Sequence, residues 1–213
     1  DFKLVAERLD VHFDEMRGES FYQDMLPDVL AKLESSGVAQ REAEGALVVE
    51  FPEETKLPTM LFQKTDGATL YQTRDLAKII FYDSEDFDEM VYIVGNEQNL
   101  HFRQLFETAR LLGYRGQWVH AGFGLIRLPE GRMSTRAGRT VSLDDVFDEA
   151  YKRALESLAE HSSDIVGTER EELAETIAIG ALKFNDLGQN RKTDIVFKWE
   201  EMLDFNGYSG PFV

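Results

Sequence analysis

The chain has 213 residues, 43% of them hydrophobic and 30% charged, with a formal net charge of −17 and no cysteine. A chain of this length buries most of the surface its unfolded form exposes, so it requires no metal or disulfide staple, and the absence of cysteine excludes disulfides and thiolate–metal sites. No run approaches the roughly 20 apolar residues that span a bilayer, no signal-peptide pattern opens the chain, and the acidic balance argues against a large nucleic-acid footprint, which needs a basic face. The expected setting is the cytoplasm, away from membranes. The chain opens at Asp1 without a Met and ends at Gly210-Pro-Phe-Val213, and both ends read as cuts through something longer.

In chain order, Leu9–Met16 alternates apolar and polar residues and predicts a strand. Phe21–Leu33 carries Tyr22, Met25, Leu26, Val29, Leu30 and Leu33 at helical spacing and should stop near Gly37. Ala46–Phe51 and Thr59–Gln63 are β-rich runs across a Pro-containing polar loop, which predicts a hairpin. Asp75–Tyr82 reads as a short helix. Met90–Gly95 is a continuous apolar run bounded by turn signals, the pattern of a strand covered on both faces. Asn99–Leu112 follows as an amphipathic helix closed by Gly113. Gln117–Ala121 and Gly124–Leu128 read as a further strand pair, bent at Gly122 and Gly124.

Strands alternating with helices imply an α/β layered sheet with crossover connections. After residue 140 the pattern becomes helical only. Ser142 with Asp145 caps a helix over Leu143–Leu158, and Thr168-Glu-Arg-Glu171 forms a capping box for another that runs to about Phe184.

Four stretches have the composition of a site, and each also has a plain structural reading. Gly131-Arg-Met-Ser-Thr-Arg-Ala-Gly138 is a basic, glycine-flanked loop suited to a triphosphate; otherwise it is a solvated loop. Val94–Phe102 follows a strand and opens a helix, so Glu97, Gln98 and His101 occupy the edge where open α/β sheets bind ligands; otherwise Asn99 caps a helix beside a satisfied histidine. Tyr71 and Asp75 are four residues apart, hence on one helical face if the turn has begun by Tyr71. An aromatic wall beside a carboxylate suits a cationic side chain, or else the pair is a core tyrosine in a capped helix. Glu19 follows Gly18 in what reads as an edge loop after the first strand. Together these stretches offer three carboxylates and one basic loop, fit for a small cation and a phosphate-bearing molecule.

Five collinear motifs carry a resemblance over essentially the whole chain. They are Phe13–Tyr22, Tyr71–Ala77, Val94–Phe102, Gly131–Gly138 and the terminal Phe197–Phe212. In this order they resemble the arginyl-tRNA synthetases, class I enzymes. The resemblance implies a ligase that joins L-arginine to ATP as arginyl-adenylate and passes the arginyl group to tRNA-Arg. Mg²⁺ is expected with the ATP, no protein-ligated metal is expected, and the full-length enzyme is expected to be a monomer.

Motif by motif, Glu19, Tyr71, Asp75 and Gln98 correspond to the arginine-recognition set. Arg132, Met133, Ser134, Thr135 and Arg136 correspond to the catalytic Lys-Met-Ser-Lys loop, with His101, Met133, Ser134 and Arg136 on the ATP side. The loop departs from the family pattern, because Arg132 replaces the first lysine and Thr135 the second. The His-Ile-Gly-His motif that the family carries in the first half of its catalytic domain is absent from this chain. The resemblance therefore implies residues 1–140 as the second half of a doubly wound, Rossmann-like domain and 141–213 as a helical linking segment. Half a cleft should be nearly inert, since its chemistry is positional and electrostatic. A non-catalytic synthetase-like module that binds arginine or a partner protein is the alternative. A generic dinucleotide or P-loop protein is disfavoured, because neither glycine-rich sequence occurs.

Overall fold

The computed structural model describes residues 2–85, 87–127, 142–162 and 164–196. By packing, the chain divides into residues 14–122 and a unit formed by residues 1–13 with 123–213. The expected boundary at residue 140 falls within residues 128–141, outside the described residues.

Within 14–122, the expected helix over Phe21–Leu33 is split. A 3-10 turn at Glu19–Met25 leads into the helix Leu26–Ser35, whose buried Leu26, Val29, Leu30 and Leu33 form one apolar stripe. Three antiparallel strands follow at Ala39–Arg41, Leu47–Val49 and Met60–Gln63. The expected hairpin is the second and third of these, and the first, too short to show a period, joins it with Ala39 opposite Val49.

Next come the helix Tyr71–Asp83, the strand Glu89–Tyr92, the helix Asn99–Leu111 and the strand Gln117–His120. In chain order with the elements of the other unit, these are α3, β4, α4 and β5. β4 and β5 run parallel, Val91 opposite Val119, with α4 as the crossover, so the unit contains a βαβ motif. α4 buries Phe102, Leu105, Phe106 and Ala109. It ends at Gly113, whose φ of +93° lets the N–H of Gly113 reach the Arg110 carbonyl and that of Tyr114 the Ala109 carbonyl.

The expectation that β4 is covered on both faces is not met. Met90 and Tyr92 pack into the core, whereas Val91 is 51% exposed and Ile93 74%. A strand alternates its side chains, and one face of this chain's β4–β5 pair is left open.

In the second unit, Leu9–Met16 is not a strand. The helix Phe2–Arg8 (α1) closes through the N–H of Leu9 onto Val5 and of Val11 onto Ala6, with Asp10 at a φ of +50°. Among the described residues no strand pairs with this stretch, which follows α1 as a turn and irregular chain.

The helices Leu143–His161 (α5) and Thr168–Leu187 (α6) meet along Ala150, Ala154, Ala174, Ala178 and Ala181, all without exposure, with Leu158 beside them. Small side chains let the two backbones approach closely, and larger ones would overpack the seam. Arg8 ties α1 to this pair. Its Nε donates to Glu175 at 2.7 Å, and its guanidinium stacks 4.8 Å from the centre of the Phe147 ring. The Glu175 hydrogen bond is the main cause that raises the Arg8 pKa.

Ser142 and Asp145 form the predicted reciprocal cap. The Thr168–Glu171 box does not form. Gly167, at a φ of +63°, takes the cap position, Thr168 is already helical, and the Glu171 N–H donates to the Gly167 carbonyl.

The second predicted strand pair is also re-sorted. Gln117–His120 pairs with β4, whereas Ile126–Arg127 (β6) lies parallel to Ile195–Val196 (β7). Gly124 donates its N–H to the Arg191 carbonyl at 2.7 Å, and a side chain there would collide with the Thr193 carbonyl. Leu125 N–H and Arg127 Nε both donate to the Asp194 carboxylate. Among the described residues no helix is long and apolar enough to cross a membrane.

Candidate functional site

The chemistry-bearing side chains of residues 14–122 gather where the third antiparallel strand (β3, Met60–Gln63), α3 and the start of α4 converge. A 3-10 turn, Asn96–Gln98, carries the chain from the carboxyl end of β4 into α4. Gly95 opens that turn without a side chain because the Glu97 carboxylate folds over it, and Asn96 does the same to Gly122. From the cap of α4 onward, Gln98, His101 and Gln104 recur every third residue and share a face.

That face and the start of α3 satisfy the backbone at β3. Gln104 Nε2 donates to the Pro58 carbonyl at 2.7 Å and Thr73 Oγ1 to Phe62 at 2.6 Å, while Gln72 Nε2 donates to Leu61. Gln72 Oε1 is buried without a hydrogen-bond partner among the described residues. Thr59–Leu61, Tyr71 and Gln72 line one side of a pocket of ≈ 320 Å³, and Glu97, Gln98, Leu100, His101 and Gln104 line the other. This is the lower end of the roughly 300–1,000 Å³ typical of ligand pockets. The polar lining includes three amide side chains and one carboxylate, Glu97, and Tyr71, 55% exposed, supplies an aromatic face. Such a wall suits a cationic or donor-rich planar group.

His101 joins the two helices. Its Nε2 lies 2.8 Å from Asp75 Oδ2, and its ring stands 4.8 Å from that of Tyr71, tilted by 48°. A carboxylate can only accept, so Nε2 carries the proton and donates. Lys78 Nζ is 3.9 Å from the other Asp75 oxygen. The Tyr92 hydroxyl is buried without a partner; burial, and then the Asp75 charge, push its pKa up.

The residues expected at an arginine site are thus distributed as follows. Tyr71 and Gln98 line the pocket, and Asp75 touches its wall through His101. Glu19 is exposed, begins the 3-10 turn Glu19–Met25 and is not part of the lining, so it does not end a strand as expected. Val94–His101 follows the carboxyl end of β4 as expected, whereas Tyr71 and Asp75 do not lie at that edge, because β3, which precedes them, belongs to the antiparallel sheet.

The Glu19 segment is tied to α3 by Arg17. Its guanidinium stacks 4.7 Å from Phe81 and 5.1 Å from Phe21 and donates to Glu15 at 2.8 Å. Tyr22, one turn on, is buried, which raises its pKa, as does its hydrogen bond to Tyr82.

Arg132, Met133, Ser134, Thr135 and Arg136 lie outside the described residues. Among the described residues no group of three or more His, Asp or Glu side chains could hold a metal ion. Gln72 and Gln104 were not expected at the site. For Gln104 the signal was the three-residue spacing Gln98–His101–Gln104, which places polar side chains on one face; Gln72 had no such signal.

A family model described as "tRNA synthetases class I (R), catalytic domain" matches residues 1–199. The arginine–tRNA ligases of Halothermothrix orenii and Clostridioides difficile are each 40% identical over the whole chain, which spans 38% of their length. That of Fusobacterium nucleatum is 37% identical, and the chain spans 37% of it. Among solved structures, the arginyl-tRNA synthetase of Plasmodium falciparum superposes on 99% of this chain with a TM-score of 0.84 at 24% identity, using 36% of its own length. The Thermus thermophilus enzyme does so over 99% with a TM-score of 0.82 at 22% identity, using 42% of its length. At those identities the structural likeness bears on the fold alone, and it agrees with the mixed α/β architecture.

Proposed function

Since the chain belongs to the catalytic-domain family of the arginine-type class I tRNA synthetases, we propose that the protein carrying it is an arginine–tRNA ligase. The arginine carboxylate attacks the α-phosphate of ATP, pyrophosphate leaves, and the arginyl group of the adenylate passes to the 3′ end of tRNA-Arg with release of AMP. Mg²⁺ accompanies the ATP phosphates. The arginine side chain is read by Tyr71, Asp75 and Gln98, with Glu19 as a further carboxylate, and the phosphates by Arg132, Ser134, Thr135 and Arg136 around Met133. Full-length protein acts as a monomer in the cytoplasm.

The observation that supports this reading is the convergence of Tyr71, Asp75 and His101 from two helices beside an acceptor-rich pocket. A guanidinium needs that combination: a flat face to stack on and a carboxylate that accepts two parallel N–H bonds. The test is exchange of labelled pyrophosphate into ATP by the full-length protein, with and without tRNA. Exchange should require arginine and fail with lysine, which offers a point charge in place of a planar fork. Exchange driven equally by lysine, or by neither amino acid in the presence of tRNA, would remove the assignment.

A further inference from the structure

Among the described residues, His101 touches two of the groups assigned above to the arginine side chain, Asp75 and Tyr71. Its Nε2 is hydrogen-bonded to Asp75 and its ring faces Tyr71. The side chain is nearly enclosed, and the ring of Phe102 meets it edge-on at 5.0 Å. Its Nε2 proton is committed to Asp75 and its ring is covered by aromatic neighbours, so little of it is left to contact a nucleotide.

Asp75, by contrast, needs holding. The terminal torsion of an aspartate is broad, and an unheld carboxylate swings about its Cβ–Cγ bond. The other neighbour, Lys78, is 3.9 Å from Oδ1 and partly exposed, too loose to fix that torsion. A bond from His101 to Oδ2 fixes it and still leaves lone pairs on both oxygens for a fork of donors.

We propose that His101 is a positioning residue for arginine recognition: it pins the Asp75 carboxylate and backs the Tyr71 ring, so that both are set for a planar cation before it arrives. This rests on the ligase reading, and it redirects His101 from the ATP side to the amino-acid side of the site. Pre-organisation of this kind appears in the binding of the cation and not in that of the second substrate.

The experiment is steady-state pyrophosphate exchange by the full-length protein, titrating arginine and ATP separately. His101→Phe keeps a ring beside Tyr71 but removes the N–H. It should raise the KM for arginine on the order of ten- to a hundredfold, the loss expected for one hydrogen bond to a charged group, and leave the KM for ATP unchanged. His101→Gln restores a donor and should recover part of the loss. In an Asp75→Asn background His101→Phe should add little, because its effect runs through Asp75.

An equal rise in both KM values, an unchanged arginine KM, or full additivity with Asp75→Asn would each overturn the proposal. A measurement on the unsubstituted protein guards against a variant that does not fold. The ¹⁵N shifts of the His101 ring should report the Nε2–H tautomer with that proton protected from exchange, and the Nδ1–H tautomer would overturn the assignment. Failure of the unsubstituted protein to exchange at all would instead strike the ligase reading itself.

Discussion

On the proposed reading, Asp75 is the residue on which the choice of arginine turns. It lies one helical turn after Tyr71, with Oδ2 hydrogen-bonded to His101 and Oδ1 3.9 Å from Lys78 Nζ. Asp75→Asn keeps the shape but removes the charge and one acceptor. In the full-length protein it should raise the arginine requirement by about 2–5 kcal/mol, the range for truncating one partner of a hydrogen-bonded charge pair. ATP should bind almost as before, since the phosphates are assigned to the Arg132–Arg136 stretch. Paired titrations of arginine and ATP check this. Equal weakening of both ligands would make Asp75 a folding residue, and unchanged arginine affinity would take it out of the site. Glu19 shows how little residue type alone decides. It has the right chemistry, yet it is exposed at the start of a 3-10 turn and depends on Arg17, Phe21 and Phe81 for its place.

Among the elements, α5 shows an end signal that local bonding alone fulfils. The Ser142 hydroxyl accepts from the Asp145 N–H, and the Asp145 carboxylate accepts from the Ser142 N–H at 3.1 Å. The side-chain bond to Ser142, followed by the backbone one, lowers the Asp145 pKa from its ordinary 3.8. A carboxylate depressed in the folded state contributes stability that is present above its unfolded value and lost as pH falls through the folded one. The proximity of its charge to the helix N-terminus acts in the same direction. Thermal unfolding followed by circular dichroism should therefore show Asp145→Asn less stable than the unsubstituted chain at neutral pH, with the gap closing in acid. A gap independent of pH would mean that the charge contributes nothing. The next helix carries the same letters in its Thr168–Glu171 box but starts one residue early, because Gly167 adopts a positive φ and its carbonyl receives the Glu171 N–H.

At the scale of the molecule, the chain spans 38% of the length of relatives such as the Halothermothrix orenii ligase. The open face of the parallel pair, with Val91 and Val119 side by side, is the kind of surface an α/β sheet normally covers. Adenylate formation holds two substrates in register, so its rate depends on a complete cleft. The 213-residue chain by itself should therefore give no arginine-dependent pyrophosphate exchange, with or without tRNA. Measurable exchange by the purified chain would show that these residues suffice.

The sequence by itself determined whatever depends on near neighbours. It set the helices α3 to α6, the Ser142 cap, the glycine stop after α4, the hairpin of the second and third strands, and the motifs that carry family membership. Their signals are periods and bonds within a few residues, which each segment satisfies alone. Tertiary structure decided what depends on partners far along the chain. Leu9–Met16 alternates like a strand but finds no strand beside it among the described residues, so it follows α1 as a turn and irregular chain. Gln117–His120 pairs with β4, while Ile126–Arg127 pairs with Ile195–Val196, and no local period encodes that choice. The site follows the same rule. Tyr71 and Asp75 were legible as one helical face once the turn had begun, but the bond from His101, 26 residues away, exists only because α3 and α4 pack against each other. Hydrogen bonds and ring contacts act over a few ångströms, so side chains distant in sequence acquire a shared function only when packing brings them within that reach.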